Sequence, residues 1–560
     1  MGRRWVETGG VRLAVYEDGV AGGPVVLLVH GYPDNASVWD GVVAELGERF
    51  RVVRYDVRGC GASGAPDGRD GYLMSALVGD LVAVVEGLGG GPVHLVAHDW
   101  GSIQSWAAVA ARPELFLSFT SISGPDLGHI DAWMRGGGRR RDVGRQIVHS
   151  WYIGAFQVPF LPELVWRAPF LLRRFHARYR DARNGVELYR ANMFGASRGA
   201  PRVISTPVQQ LALVRDPFVT SSILTSADSW CERLWRRPLA AGHWAVRDRP
   251  STVARLVFEF VDHVGGGAAS RELERARVGF DRKRLGGQLA LVTGAGSGIG
   301  RATALALREQ GADVLCVDID FDSATRTAVD VGGSAFQLDV SDGDATARLA
   351  EHVLAEHGVP DLVMANAGIA VAGSFLETSE DDWRRVIDVN LLGVVNTLRA
   401  FAPLLVDRGE GGHLVITSSA AGFLSLPSLP AYGASKAAVL MLAQNLAGEL
   451  VDDGIAVSAI CPGIVHTGIT SSARFAGASP EEERELQVRA TASYRRRGFG
   501  PEKVAAAVVA TVLGGRSRVV PVTPEAKVGA IANRVAPRAT RALLRWFDRV
   551  TASRQPPRRG

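Results

Sequence analysis

The sequence predicts an α/β chain in which two separate, mostly parallel sheet domains stand in tandem. Three observations carry that prediction. In the first half of the 560 residues, short apolar runs ended by glycine-containing turns alternate with helical patterns. The same alternation restarts at Leu289. Between the two lies Gly265-Gly266-Gly267-Ala268-Ala269-Ser270, the composition of a flexible connection. Apolar runs without polar alternation fit strands covered on both faces. A chain of this length has room for two or more domains, at about 100–200 residues each.

The elements follow in order. Val25–Val29, ended by His30-Gly31, is the first clear buried strand, and Val52–Tyr55 and Val93–Val96 are similar. A helical pattern fills Met74–Leu88. From about 126 to 205 the alternation stops and Arg, Trp, Tyr and Phe become frequent, which reads as a mostly helical cap inserted into the sheet. Alternation returns at Val208–Leu213 and closes with a helix near Val253–Val264. This gives a first domain over 1–264, a linker over 265–286 whose later part is charged, a second domain over 287–522 and a basic tail over 523–560. In the tail, Arg534, Arg538, Arg541, Arg545 and Arg549 recur at helical spacing, and Leu543, Trp546, Phe547 and Val550 form an apolar stripe. That is one basic amphipathic helix, either docked on its own domain or making a weak contact with a lipid surface or partner.

Composition narrows the classes. Only four of the 63 basic residues are lysines, an arginine bias that a GC-rich genome produces, and no basic run is interleaved with aromatics as a nucleic-acid reader requires. Cys60, Cys231, Cys316 and Cys461 form no CxxC and no Cys/His cluster, so reduced thiols, no metal and a cytoplasmic location are expected. The first residues lack the apolar core of a signal peptide. No run of membrane-spanning length is apparent, which leaves membrane-surface association at most.

The first constellation is Ala97-His98-Asp99-Trp100-Gly101, placed between a strand and a helix. Small residues around a reactive one at such a turn make a nucleophile elbow, here with aspartate in the usual serine position. A carboxylate is charged at neutral pH and attacks an sp3 carbon without a base, leaving an ester on itself. Hydrolysing that ester requires a histidine and an orienting acid, and Asp216 and His243 follow in that chain order. Backbone N–H groups of Tyr32 and Trp100 are expected to form the oxyanion hole, while His30 and His98 read as structural. With His30-Gly31-Tyr32-Pro33, Asp56-Val57-Arg58-Gly59-Cys60-Gly61-Ala62-Ser63 and Gly242-His243-Trp244, this pattern resembles the epoxide hydrolases of the α/β-hydrolase fold over about residues 5–264. Haloalkane dehalogenases share His-Asp-Trp-Gly. The resemblance to epoxide hydrolases further implies two cap tyrosines that protonate the epoxide oxygen, in the segments Trp151–Pro159 and Leu188–Asn192: Tyr152 and Tyr189. A phenol is still protonated at neutral pH and can donate.

The second constellation is Thr293-Gly294-Ala295-Gly296-Ser297-Gly298-Ile299-Gly300 between strand and helix, a loop suited to a pyrophosphate. Asp318, 18 positions beyond Gly300, ends the next strand, where a carboxylate binds a ribose hydroxyl and repels a 2′-phosphate. Ser297 offers no basic residue to attract one, so NAD(H) is expected over NADP(H). Tyr432 and Lys436 lie at i and i+4, and Ser419 lies 13 residues before Tyr432. These residues resemble the short-chain dehydrogenase/reductase family, with its Rossmann-type fold, over about 287–520. The resemblance adds Asp339 and Val340 at the adenine, Asn366, Ala367 and Gly368 after a central strand, Asn390 for a proton-relay water, and Pro462, Gly463 and Thr467 near the nicotinamide. Ala365 replaces a second Asn that the family often has. Tyr432 is the expected acid/base, Lys436 the cation that lowers its pKa, and Ser419 the group that holds the substrate oxygen.

The order of the halves resembles an actinobacterial group of fusions in which an epoxide hydrolase precedes a short-chain dehydrogenase. It implies a bifunctional enzyme acting on small-molecule or lipid-like epoxide and alcohol or ketone substrates, with the homo-oligomeric assembly common among such dehydrogenases. The alternatives are a haloalkane dehalogenase in the first half, a non-catalytic module fused to the dehydrogenase, and a membrane-surface scaffold.

Overall fold

A computed structural model of the chain describes residues 2–89, 91–194, 200–280 and 282–552. It divides into two compact units, Met1–Phe280 and Asp281–Gly560. The first is built on β1 (Gly2–Thr8), β2 (Val11–Gly19), β3 (Val25–Val29), β4 (Arg51–Tyr55), β5 (Val93–His98), β6 (Phe116–Ile122), β7 (Val208–Leu213) and β8 (Leu234–Leu239). Their order is β1-β2-β4-β3-β5-β6-β7-β8, with β2 antiparallel to both neighbours and the remaining pairs parallel. Alternate residues of one strand enter opposite cores: Leu27, Val29, Val53 and Leu95 on one face, Val26, Leu28, Val52 and Val96 on the other. This two-sided burial is why the strands read as unbroken apolar runs. The cap between β6 and β7 is helical, its longest members Arg140–His149, Trp151–Gln157, Pro169–Phe175 and Tyr179–Asn192.

The second unit is a seven-stranded parallel sheet of β9 (Leu289–Thr293), β10 (Asp313–Asp318), β11 (Ser334–Gln337), β12 (Leu362–Ala365), β14 (Gly412–Thr417), β15 (Ile455–Cys461) and β17 (Val519–Pro521), in the order β11-β10-β9-β12-β14-β15-β17. A small pair, β13 (Val371–Ala372) and β16 (Arg474–Phe475), lies apart from it. The order reverses between β9 and β12, the crevice where doubly wound sheets bind their ligands.

Three expectations change. The segment 265–286 is not a linker throughout: Ser270 caps the helix Arg271–Ala276, Leu273 is fully buried against Trp235 and Phe260, and Leu285 already belongs to the second core. A backbone bridge between Arg277 and Trp235, and the Val278 N–H donated to the Leu234 carbonyl, help to dock it. The tail is not one helix, because Pro537 lacks an N–H and splits it into Pro524–Val535 and Pro537–Ala552, leaving Arg534 on the former and Arg538 on the latter. The side chains of Trp546, Phe547, Arg549 and Val550 lie outside the described residues. Finally, Glu380–Arg408 is long and apolar enough to cross a membrane. Its Val394, Leu398, Phe401 and Leu405 belong instead to the core of the second unit.

Candidate active sites

Asp99 stands between β5 and the helix Trp100–Ala111 with φ +51, a conformation few non-glycine residues adopt. The turn is that tight because neighbours make room. A Cβ at Gly101 would lie 2.4 Å from the Val29 carbonyl oxygen, and one at Gly124 would lie 2.1 Å from that of Asp99. The Tyr32 N–H donates to Asp99 Oδ1 at 2.8 Å, and the Trp100 N–H also bonds this carboxylate. The two groups expected as an oxyanion hole therefore already converge on one carboxyl. Behind it, His243 Nε2 lies 3.6 Å from Asp99 Oδ2, and His243 Nδ1 lies 2.9 Å from Asp216 Oδ2. The other oxygen of Asp216 accepts the N–H groups of Phe218 and Val219 at 2.8 and 3.0 Å.

The electrostatics follow from burial and from these partners. Burial works against an imidazolium at His243, but the carboxylates of Asp216, Asp99 and Asp34 outweigh it and hold its pKa up at about 9. Burial also opposes charge on Asp216, yet His243, Ser123 and the Phe218 N–H keep its carboxyl below the ordinary value. At Asp99 burial prevails over His243 and the two N–H groups, so its pKa is raised. His98 and His30 serve the frame. His98 Nε2 bonds the His243 carbonyl at 2.8 Å, its pKa pushed down to about 3 mainly by burial, and His30 Nε2 accepts the Val57 N–H at 2.9 Å.

Sequence reasoning missed Ser123. Its hydroxyl donates to Asp216 Oδ2 and lies 3.1 Å from His243 Nδ1, and its backbone holds φ +56. No motif marks it, and a buried polar residue just after a strand was the sole signal.

The cap brings Tyr152, on Trp151–Gln157, and Tyr189, on Tyr179–Asn192, together at 5.8 Å between ring centres. Burial first, then the Asp99 charge at Tyr152 and the Tyr152 and Asp99 charges at Tyr189, raises both phenols well above their ordinary pKa. Tyr32, Trp100 and Phe156 pack edge-on against Tyr189, and Phe218 lies 4.9 Å from the His243 ring. Beside Tyr32 and Trp100 a cavity of about 10 Å³ persists, about the size of one water.

In the second unit, Gly294 and Gly298 adopt φ +66 and +53. A Cβ at Gly300 would lie 2.0 Å from the Gly294 carbonyl oxygen, so backbone closes on backbone where Gly298–Glu309 begins. Asp318 ends β10 and accepts the Gly296 N–H at 2.8 Å, which fixes its carboxylate beside the loop. Ser297, Ile299, Asp339, Val340, Ala367, Gly368, Pro462, Gly463 and Thr467 line the same cleft of about 1840 Å³. Asn366 donates to the Thr293 carbonyl at 3.0 Å and accepts from Thr417 Oγ1 at 3.0 Å. A glycine cradle with a fixed carboxylate at the next strand end fits a dinucleotide.

Tyr432, Lys436 and Ser419 share this cleft. Asn390 is buried in the π-helical turn Asp388–Leu392, where it holds the Ile369 N–H and carbonyl at 2.8 and 2.9 Å. Ser418 donates to the Lys436 carbonyl at 2.8 Å and is structural. Burial drives Tyr432 up to about 12 against a Ser419 hydrogen bond. The Lys436 ammonium bonds the Thr417 carbonyl at 2.9 Å, lies 5.8 Å from the Tyr432 ring centre, and is held down at about 8 by burial. The sequence also gave no hint that Thr523 and Glu525, assigned to the tail, brace the cleft by accepting the Gly463 and Ile464 N–H groups at 3.1 and 2.8 Å. Leu543 and Leu544 add to the lining from the last helix.

Comparison with known proteins gives two family matches, short chain dehydrogenase over 288–476 and alpha/beta hydrolase fold over 24–150. The Mycobacterium tuberculosis protein named "Probable oxidoreductase EphD" is 41% identical over 576 residues, covering 96% of this chain and 97% of that one. Among solved structures, a Burkholderia phymatum short-chain dehydrogenase in complex with NAD is 29% identical over 50% of this chain and 98% of its own, with a TM-score of 0.41. A Bacillus megaterium epoxide hydrolase is 24% identical over 46% of this chain and 100% of its own, with a TM-score of 0.40.

Proposed function

Because the chain belongs to the family of the mycobacterial protein EphD, a hydrolase-fold half fused to a short-chain dehydrogenase half, we propose that it is bifunctional, opening an epoxide to a vicinal diol and oxidising an alcohol or reducing a ketone with NAD(H). The observation that carries the first half is the meeting of two protonated phenols, Tyr189 buried and Tyr152 half-buried, with a buried carboxylate that has a His–Asp pair behind it. Asp99 Oδ2 attacks an epoxide carbon, and the breaking C–O bond sends its electron pair to an oxygen that takes a proton from Tyr152 or Tyr189. A halide leaving group has no use for that proton. Forming the ester removes the charge of Asp99, one of the anions that hold His243 up, so the His243 pKa falls and more of the imidazole is neutral and free to accept a proton as the ester appears. His243 then takes a proton from water, the water oxygen attacks the ester carbon, and the Tyr32 and Trp100 N–H groups hold the charge that develops on Oδ1. Collapse breaks the Cγ–Oδ2 bond, His243 returns its proton to the departing alkoxide to give the diol, and the proton that water leaves on the carboxyl group re-forms the tyrosine phenol, so Asp99 is a carboxylate again.

In the second half the loop Gly294–Gly300 and Asp318 would hold the dinucleotide, with Asp318 favouring NAD(H). When bound, that group supplies the hydride exchange. Tyr432 donates or accepts the proton at the substrate oxygen, which Ser419 orients; Lys436 supplies positive charge beneath them, and Asn390 fixes the Ile369 backbone alongside. The diol is itself an alcohol, so the product of one half suits the other. The test is a mass-spectrometric product assay on aromatic and fatty-acyl epoxides with and without NAD⁺. Diol formation abolished by Asp99→Ala, followed by an NAD⁺-dependent loss of two hydrogens abolished by Tyr432→Phe, is the expected result. Halide release from haloalkanes without any diol would replace the first reading with dehalogenation, and a dehydrogenase that ignores every diol would end the sequential one.

A further inference from the structure

The cap exposes more apolar surface than covering a site requires. Across the adjoining helices Arg140–His149 and Trp151–Gln157, Ile147, Val148 and Trp151 recur at helical spacing, and Val158 continues the row. Gly154 lies in that row with open space beside it. These positions face away from Tyr152 and Phe156, which pack inward. Trp151 is 73% exposed, and further along the chain of the cap Phe160, 83% exposed, Leu164 and Phe170 are exposed as well. Phe160 holds φ +64, so a bulky residue in a strained backbone presents its ring to water.

Charge says what covers this face. Between residues 133 and 178 the sequence has nine arginines and two acidic residues, Asp142 and Glu163, and Glu163 is already engaged by Arg190 at 2.6 Å. Arg139, Arg140, Arg141 and Arg145 precede the apolar row, and Arg167, Arg173, Arg174 and Arg178 follow it. A second copy of the chain would bring two cationic faces together. A nucleic acid would answer the arginines but not Ile147, Val148 and Leu164. Aromatic and aliphatic side chains bordered by arginine fit the boundary between acyl chains and anionic headgroups.

We propose that this face of the cap docks on an anionic lipid surface, with Trp151 and Phe160 inserted among the acyl chains and the flanking arginines at the headgroups. The helix that carries Tyr152 then lies against the bilayer.

The test is flotation of the full chain with phosphatidylcholine vesicles prepared with and without phosphatidylglycerol. The expected result is binding only where phosphatidylglycerol is present, weakened by salt, and at least about tenfold weaker in the Trp151→Ser, Phe160→Ser double variant, since removing two inserted rings costs more than the ~1.4 kcal/mol that a factor of ten represents. Arg139→Glu with Arg140→Glu should weaken it too, and a chain lacking 534–560 should still float. Unchanged elution on gel filtration and unchanged turnover of a water-soluble substrate by either half would show that the variants fold. Absence of flotation by the unaltered chain, or flotation undiminished by the double variant, overturns the proposal. So does a dimer that the double variant dissociates, or binding to RNA in place of vesicles.

Discussion

In the first unit the turn bearing Asp99 ends beneath rings from Tyr152, Phe156, Tyr189 and Phe218. In the second, the corresponding edge of the sheet opens onto a cleft of about 1840 Å³. Both sites sit at the carboxyl ends of parallel strands, so the fold does not set the difference. What the chain inserts after the strands does. Helices between β6 and β7 roof the first site, whereas Gly294, Ser297 and Gly298 after β9 line an open cleft in the second. The contrast matches the tasks: a charged nucleophile gains from exclusion of water, while a dinucleotide and a second substrate need space.

The largest test of this division is reciprocal. Asp99→Ala should remove diol formation by at least ~10³-fold and leave alcohol oxidation intact, and Tyr432→Phe should do the reverse; steady-state rates of both reactions on both variants would check it. Coupled losses would break the picture of two independent sites. Next, Tyr152→Phe and Tyr189→Phe should each slow epoxide opening by about 10–100-fold, and together by more than ~10³-fold. Rapid-quench detection of the Asp99 ester would locate the loss in the first step. In the open site, Asp318→Ser should shift the ratio of NAD⁺ to NADP⁺ efficiency by at least about tenfold toward NADP⁺, read from kcat/KM. Ser123→Ala should slow ester hydrolysis about tenfold without slowing ester formation, so the ester accumulates.

The smallest effect is on stability. His243 titrates at about 9 in the folded chain against 6.5 ordinarily, so its contribution is whole below pH 6.5 and fades as the pH rises through about 9. The Tm gap between the unaltered chain and His243→Gln should therefore narrow over that window.

The strand–turn–helix segments were legible because turn chemistry is local: Asp99 and Gly294–Gly300 each announce themselves within eight residues. The meeting of Asp216 and His243 was legible through chain order, and the cap tyrosines only through resemblance. What stayed hidden depends on contacts between distant segments. Ser123 meets Asp216 across 93 positions, and Glu525 meets Ile464 across 61. Leu273 looked like one apolar residue in a charged stretch until Trp235 and Phe260 closed on it.

The brace from Thr523 and Glu525 to Gly463 and Ile464 has a consequence for how such chains change length. A truncation just after β17 would spare every strand and every motif, yet remove two acceptors that steady the loop beside the nicotinamide position. Shortened descendants of this gene should therefore lose cofactor affinity before they lose their fold, and extensions added beyond Val535 should be tolerated where cuts before Thr523 are not.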